Sequence, residues 1–337
     1  MVGACSWEQY LVTIVHTVNR FTNWTPFCIS HDEQANAVDW FYRGDIRFDD
    51  PTYGDTMQRC ANHPFNLIFT RKTPLDALDE CTQGERSLPP AGFLFHLSRC
   101  GSTLVSRAFN HRRDTLVLSE AGPINDVLQL SRRDPSLTHE QTRSHLFNIV
   151  QTLGRTLDAQ ERHLFIKLDA WHVHNHAAIT QTFAHTPSFF LYRDPLEVVV
   201  SHLRTESFMM SPANAPATLE MTVQDAVKIP RELLIIRVLA RILSAALTGI
   251  FEPHQLVNYR ELPDAINSRI APAFGIEIAD PDELALLSRY HAKRPHETFT
   301  ADAEEKQAVA SPQLRELVNE HLRPLYDELE ARRLTRR

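Results

Sequence analysis

Arg99-Cys100-Gly101-Ser102-Thr103 is the part of this chain best equipped to hold an anion. It follows an apolar, aromatic run, Gly92-Phe93-Leu94-Phe95-His96-Leu97, and precedes Leu104, Val105, Ala108 and Phe109, which recur at helical spacing. The pattern predicts a buried strand, a tight turn and a helix that opens at the turn. The first N–H groups of a helix lack intrahelical partners and sit at the positive end of its dipole, so the Gly101, Ser102 and Thr103 amides suit a phosphate or sulfate. Arg99 adds a planar fork of donors. A nucleoside-triphosphatase loop ends in Gly-Lys-Ser/Thr, with the lysine on the outer phosphates and the hydroxyl on magnesium. Ser102 stands in the place of that lysine, so neither a γ-phosphate nor a metal is the expected ligand.

A second segment repeats the arrangement. Ser188-Phe189-Phe190-Leu191-Tyr192 reads as a strand, followed at once by a helix with Asp194 as N-cap and Pro195 at its first position. Arg193 falls at the carboxyl end of the strand, where open α/β sheets bind ligands, and Ser201 lies about two helical turns on. Together they suit one further phosphate. The alternative is that Arg193 pairs with a surface carboxylate and Ser201 is a tolerated helix serine.

Two more strand ends carry titratable groups. Thr115-Leu116-Val117-Leu118-Ser119 ends in Glu120, and His163-Leu164-Phe165-Ile166 ends in Lys167, Leu168 and Asp169. A lysine at the end of a buried strand is costly to desolvate, which favours a ligand-facing role. His172, His174 and His176 alternate in a way that suits a metal, but no acid or cysteine cluster accompanies them; lining a substrate pocket or meeting solvent is the preferred reading.

These segments together resemble the sulfotransferase family, whose donor is 3'-phosphoadenosine 5'-phosphosulfate. The family's 5'-phosphosulfate loop follows a strand and has a basic residue, a glycine and two hydroxyl residues, as in Arg99-Cys100-Gly101-Ser102-Thr103. Its 3'-phosphate motif is a strand ending in Arg-Asp-Pro with a serine eight residues after the arginine, as in Arg193-Asp194-Pro195 and Ser201. The resemblance implies that Arg99, Cys100, Gly101, Ser102, Thr103 and Leu104 hold the phosphosulfate, and that Arg193 and Ser201 hold the 3'-phosphate. It further implies that Glu120 is the base for the acceptor proton and that Lys167, with Arg99, stabilises the departing phosphate. Asp169 occupies the place of the basic histidine of the cytosolic branch, which makes it the second candidate base, with His172 the third. The family needs no metal. The resemblance covers roughly Pro90 to Leu203.

The implied fold is an α/β P-loop-type sulfotransferase fold with a mostly parallel central sheet flanked by helices. Residues 1–88 read as an N-terminal accessory segment and residues 89–337 as the sulfotransferase-like domain, divided at Leu88-Pro89-Pro90. Within the first part, Trp7 to Arg20 has amphipathic helical spacing and Asn66 to Thr70 reads as a strand. Later, Ser211 to Ala217 reads as a loop or lid, Arg231 to Ile250 as a long helix, and His254 to Tyr259 as a fifth strand. Tyr259-Arg260-Glu261-Leu262-Pro263 resembles a Tyr-Glu-Asp-Leu segment of the family. Lys293 and Arg294 are weaker candidates for the 3'-phosphate, and Pro312 to Arg337 alternates charges as a solvated amphipathic helix does.

Composition agrees with a soluble enzyme. The 337 residues are 43% hydrophobic and 23% charged, enough for a large core, and a net charge of −7 offers no basic field for nucleic acid. Five scattered cysteines without metal or redox spacing suit a reducing compartment. No secretory signal is expected, since the stretch through Asn19 has no basic start and Glu8, Gln9, His16 and Asn19 interrupt its apolar residues, and no membrane span, since Arg237 and Arg241 interrupt the most apolar later stretch; the expectation is a cytoplasmic enzyme with a small-molecule or peptide acceptor. The competing readings are an ATP- and magnesium-dependent small-molecule kinase and a non-catalytic nucleotide-binding or scaffold protein.

Overall fold

The computed structural model describes residues 21–31, 36–81, 86–134, 136–205, 208–278, 290–291, 294–298 and 303–335. The chain forms two compact units, Met1–Pro89 with Ala121–Arg162, and Pro90–Glu120 with His163–Arg337. A single division near residue 88 therefore does not describe the return of 121–162 to the first unit.

The first unit holds an antiparallel sheet in the order β1 (Trp24–His31), β2 (Asn36–Tyr42), β3 (Arg71–Pro74). Val38 and Trp40 of β2 are buried, and the Trp40 indole donates to Thr73 Oγ1 at 2.9 Å. Helices Gly122–Arg133 and His139–Leu153 pack on β1, and Asp126 accepts the Ile29 amide at 2.9 Å. Thr138 and Gln141 close a capping box at the start of the second helix. The strand expected at Asn66–Thr70 is instead a short helix, Pro64–Ile68. His63 accepts the Phe65 amide as its N-cap and Pro64 takes the first helical position, local signals that outweigh the β-branched and aromatic content. Trp7 to Arg20 lies outside the described residues.

The second unit is built on a five-stranded parallel sheet. Its strands are β4 (Pro90–His96), β5 (Thr115–Ser119), β6 (His163–Lys167), β7 (Ser188–Tyr192) and β8 (Leu256–Asn258), in the spatial order β5-β6-β4-β7-β8. Strands buried on both faces need no alternation, which is why they read as continuous apolar runs. The crossover leaving β4 runs to one edge of the sheet and the one leaving β7 runs to the other, so a crevice opens at their carboxyl ends. The two strands are hydrogen-bonded neighbours there: His96 lies opposite Leu191, and the Leu97 amide donates to the Leu191 carbonyl at 2.9 Å.

Beneath the sheet, Phe109, Phe165 and Phe189 surround Phe274, with ring centroids 4.7 to 6.0 Å apart. Gly92 makes room for this cluster, because a Cβ there would stand 2.1 Å from the Phe274 ring. Each such buried aromatic side chain stabilises the fold by about 1.5–3 kcal/mol. Helix Arg231–Ala246 buries Leu234, Ile235, Val238, Leu239, Ile242 and Leu243 and leaves Arg237 and Arg241 exposed. Among the described residues no helix is long and apolar enough to cross a membrane.

Three late expectations change. The fifth strand spans Leu256–Asn258 only, because Pro253–Gln255 forms a 3₁₀ turn. The Ser211–Ala217 stretch turns through Asn214 and then enters the helix Ala215–Leu219. The tail is two helices, Pro312–His321 and Arg323–Leu334, that bury Leu314, Val318, Leu322, Tyr326 and Leu329 and contact Arg231–Ala246. Its charge alternation describes the outer face alone.

Candidate active site

Where β4 ends, the backbone bends sharply. Ser98 (φ 73°), Arg99 (φ 50°) and Gly101 (φ 90°) all adopt left-handed conformations, and Gly101 is the N-cap of helix Ser102–Asn110. Two non-glycine residues held in that region within one turn is a concentration of strain of the kind found at ligand clamps. Gly101 is required twice over, by its φ and because a Cβ would lie 2.9 Å from the Tyr259 ring and 3.0 Å from Leu262. Gly101→Ala is expected to cost about 1–3 kcal/mol and lower the thermal unfolding midpoint. Calorimetric unfolding identical to the wild type would show that the loop and ring yield freely.

The loop residues divide by role. Gly101, Ser102 and Thr103 head the helix and, with Ser98 and Arg99, line a cleft of about 200 Å³. Cys100 is buried, and its thiol donates to the Leu191 carbonyl at 3.2 Å, tying the loop to β7; burial pushes that thiol up to about 11. The Leu104 amide donates to the Gly101 carbonyl at 2.9 Å and its side chain packs on the core, so Leu104 braces the loop. Arg99 has no ion-pair partner among the described residues; burial lowers its proton affinity while Glu120 opposes that shift.

Across the cleft stands Glu120, itself left-handed (φ 56°), just past β5. Its amide donates to the Lys167 carbonyl at 2.8 Å, and its Oε1 accepts the Lys167 ammonium at 2.6 Å. The adjacency of β5 and β6, which pairs Ser119 with Lys167, creates this contact. The Lys167 side chain is 1% exposed and that of Glu120 27%. Burial alone would raise the Glu120 proton affinity, but the Lys167 ammonium, aided by the nearby His96 N–H, holds the carboxyl well below the usual carboxylate range. His96 Nε2 approaches the same Oε1 at 3.6 Å.

Asp169 and Trp171 line the cleft beside Glu120, together with Phe208 and Met209. Asp169 is the N-cap of the 3₁₀ helix Ala170–Asn175, and its amide donates to His172 Nδ1 at 3.3 Å. His172 is buried outside the cleft lining, and burial, with the nearby His96, pulls its proton affinity down to about 3. His176 packs its ring against Phe95 and Phe251. Among the described residues no group of three or more His, Cys, Asp or Glu is placed to hold a metal ion.

Arg193 lies close to the loop but does not line the cleft. Its Nε donates to Glu197 Oε2 at 2.6 Å, and its guanidinium stacks 4.1 Å above the Tyr259 ring. That ring is the one against Gly101, so a single aromatic side chain separates the two strand-end arginine segments. The carboxylate partner foreseen for Arg193 thus exists, though it is buried and one helical turn away rather than on the surface. Asp194 caps its helix at the Leu196 amide, 3.0 Å, and pairs with Arg323 at 3.0 Å. Ser201 lies further along the helix Pro195–Arg204. Lys293 and the Arg294 side chain lie outside the described residues.

Sequence reasoning missed His96, Glu197 and the apolar wall of Trp171, Phe208 and Met209. A histidine ending an otherwise apolar strand, and a glutamate four residues after Arg193, were the available signals.

No family model matches the chain, and no curated protein is found similar to it. Solved structures are. A sulfotransferase from Alicyclobacillus acidocaldarius is 13% identical over 74% of this chain and 97% of its own, with a TM-score of 0.43. The sulfotransferase domain from the curacin biosynthetic pathway is 14% identical over 70% of this chain and 98% of its own, with a TM-score of 0.42. A sulfotransferase from Mycobacterium tuberculosis H37Rv is 13% identical over 72% of this chain and 78% of its own, with a TM-score of 0.39. Each of the three is named as a sulfotransferase, and each is a protein to which this chain is similar.

Proposed function

We propose that this protein is a sulfotransferase that moves a sulfuryl group from 3'-phosphoadenosine 5'-phosphosulfate to a hydroxyl or amine acceptor and releases adenosine 3',5'-bisphosphate. The observation that carries this reading is one cleft with a helix start suited to an anion and lacking the phosphate lysine on one side, and on the other the Glu120 carboxylate, backed by the Lys167 ammonium buried behind the cleft lining. The loop amides and Arg99 fit the phosphosulfate end of the donor.

For a hydroxyl acceptor, the oxygen attacks sulfur in line, and the bond from sulfur to the 5'-phosphate oxygen breaks with its electron pair on that oxygen. The hydroxyl proton passes to Glu120. Oε1 is held by Lys167, which leaves Oε2 as the proton acceptor. Lys167 also governs how basic that carboxylate is. Drawn toward the donor's bridging oxygen, the ammonium relaxes its hold, burial then dominates, and the carboxylate strengthens as a base. The same movement places positive charge where the leaving phosphate gains negative charge.

At the other end of the donor, Arg193 and Ser201 are the residues this reading assigns to the 3'-phosphate. The phosphate takes the place of Glu197 on the Arg193 guanidinium, an exchange of one anion for another at a site already stacked on Tyr259. Cys28, Cys60 and Cys100 are free thiols, which fits a reducing compartment such as the cytoplasm.

Isothermal calorimetry tests the reading against its rivals. The expected result is binding of adenosine 3',5'-bisphosphate and little of ADP with magnesium. The reverse preference would establish a kinase, and binding of neither would leave a scaffold.

A further inference from the structure

His96 lines the cleft and holds a buried proton donor whose nearest carboxylate oxygen, on Glu120, lies beyond hydrogen-bond distance. Its ring ends β4 with a side chain 5% exposed, and Nδ1 accepts the Ser98 amide at 3.0 Å. The proton of the neutral ring therefore sits on Nε2. That nitrogen is buried and has no hydrogen-bond partner. The nearest carboxylate oxygen, Glu120 Oε1, is 3.6 Å away, too far for a hydrogen bond, and already takes the Lys167 ammonium.

The groups facing the ring are the Ser98 amide from its own loop, Glu120 from the end of β5, Lys167 from β6 with the Leu168 backbone that follows it, and the buried His172. Burial, with Lys167 adding to it, favours the neutral imidazole, and Glu120 opposes them. Neutrality suits the place, because an imidazolium here would set a second positive charge beside Glu120 and weaken it further as a base. A buried N–H left unmatched is costly, so an oxygen arriving in the cleft is the natural partner.

The loop amides and Arg99 receive the phosphate end of the donor and Glu120 receives the acceptor, so the group lying between them is the one transferred. We propose that His96 binds that group, its Nε2–H donating to a sulfuryl oxygen of the donor. The inference rests on the sulfotransferase reading above.

The test is a ratio of affinities. In the absence of acceptor, calorimetry gives the dissociation constants of 3'-phosphoadenosine 5'-phosphosulfate, which carries the sulfuryl group, and of adenosine 3',5'-bisphosphate, which does not. His96→Leu is expected to weaken the first about 10- to 100-fold more than the second, the range for a hydrogen bond to a charged group. Equal losses for both ligands would reduce His96 to a support for the loop and overturn the proposal. Should His96→Leu fail to fold, His96→Gln gives the same ratio with a smaller expected shift, about 3- to 10-fold, and an unchanged ratio overturns the proposal there too. A wild-type protein that binds neither nucleotide overturns the sulfotransferase reading itself, an outcome distinct from equal losses.

Discussion

Glu120→Gln is expected to slow sulfuryl transfer by about 10²- to 10⁴-fold, the usual range for loss of a positioned general base. The amide keeps the volume of the side chain and can still accept from Lys167, but it cannot take up the acceptor proton. Bisphosphate binding should be little changed, since the loop amides and Arg99 lie across the cleft from this side chain. Single-turnover formation of bisphosphate at saturating donor reads the chemical step directly. An activity near wild type in Glu120→Gln, with loss confined to Asp169→Asn, would move the base to Asp169.

Lys167→Met is expected to lose both activity and stability. The buried ammonium is the partner that keeps Glu120 ionised, and removing one member of a buried pair costs about 3–5 kcal/mol. The lower end of that range applies, because Glu120 retains partial contact with water.

The pH dependence should also reverse. In the wild type the folded-state proton affinity of Glu120 is depressed, so its stabilising contribution is complete above the unfolded carboxyl range, about pH 4.3, and is lost as pH falls through the lower folded value. Without Lys167, burial raises that affinity above the unfolded value. The variant should then gain stability, relative to its own value at neutral pH, as acidification protonates Glu120. Thermal melts between about pH 7 and pH 4 check this. Parallel wild-type and variant curves would show that Lys167 does not set the charge state of Glu120.

What could be read without the structure was local. The segments around Gly101 and Asp194 announce themselves because a strand's apolar run, a turn residue and a helix cap all lie within a few positions, and their physics involves no distant partner. The strand-turn-helix loop at Gly101 and the absence of a triphosphatase lysine follow from such signals, whereas the mostly parallel α/β sheet was what the family resemblance implied. Glu120 and Lys167 were each visible as polar ends of apolar strands.

Their meeting was not visible, since it depends on β5 pairing with β6, a choice made by long-range packing. The same holds for Tyr259, which arrives from beyond β8 to separate Gly101 from Arg193. The Glu197 partner of Arg193 lay at helical spacing, yet its burial is a property of the assembled unit. The helix at Pro64–Ile68 and the buried face of the tail show the opposite error, where composition suggested one state and capping or tertiary contacts selected another.

The sequence by itself determined which short segments could grip an anion, because backbone conformation, capping and charge type act over a single turn. Only the tertiary structure decided that Lys167 holds Glu120, that Glu197 holds Arg193 and that His96, in the cleft wall, keeps a buried donor without a hydrogen-bond partner. Side-chain partners across a sheet are chosen by strand order and burial, and neither is written in any one stretch of residues.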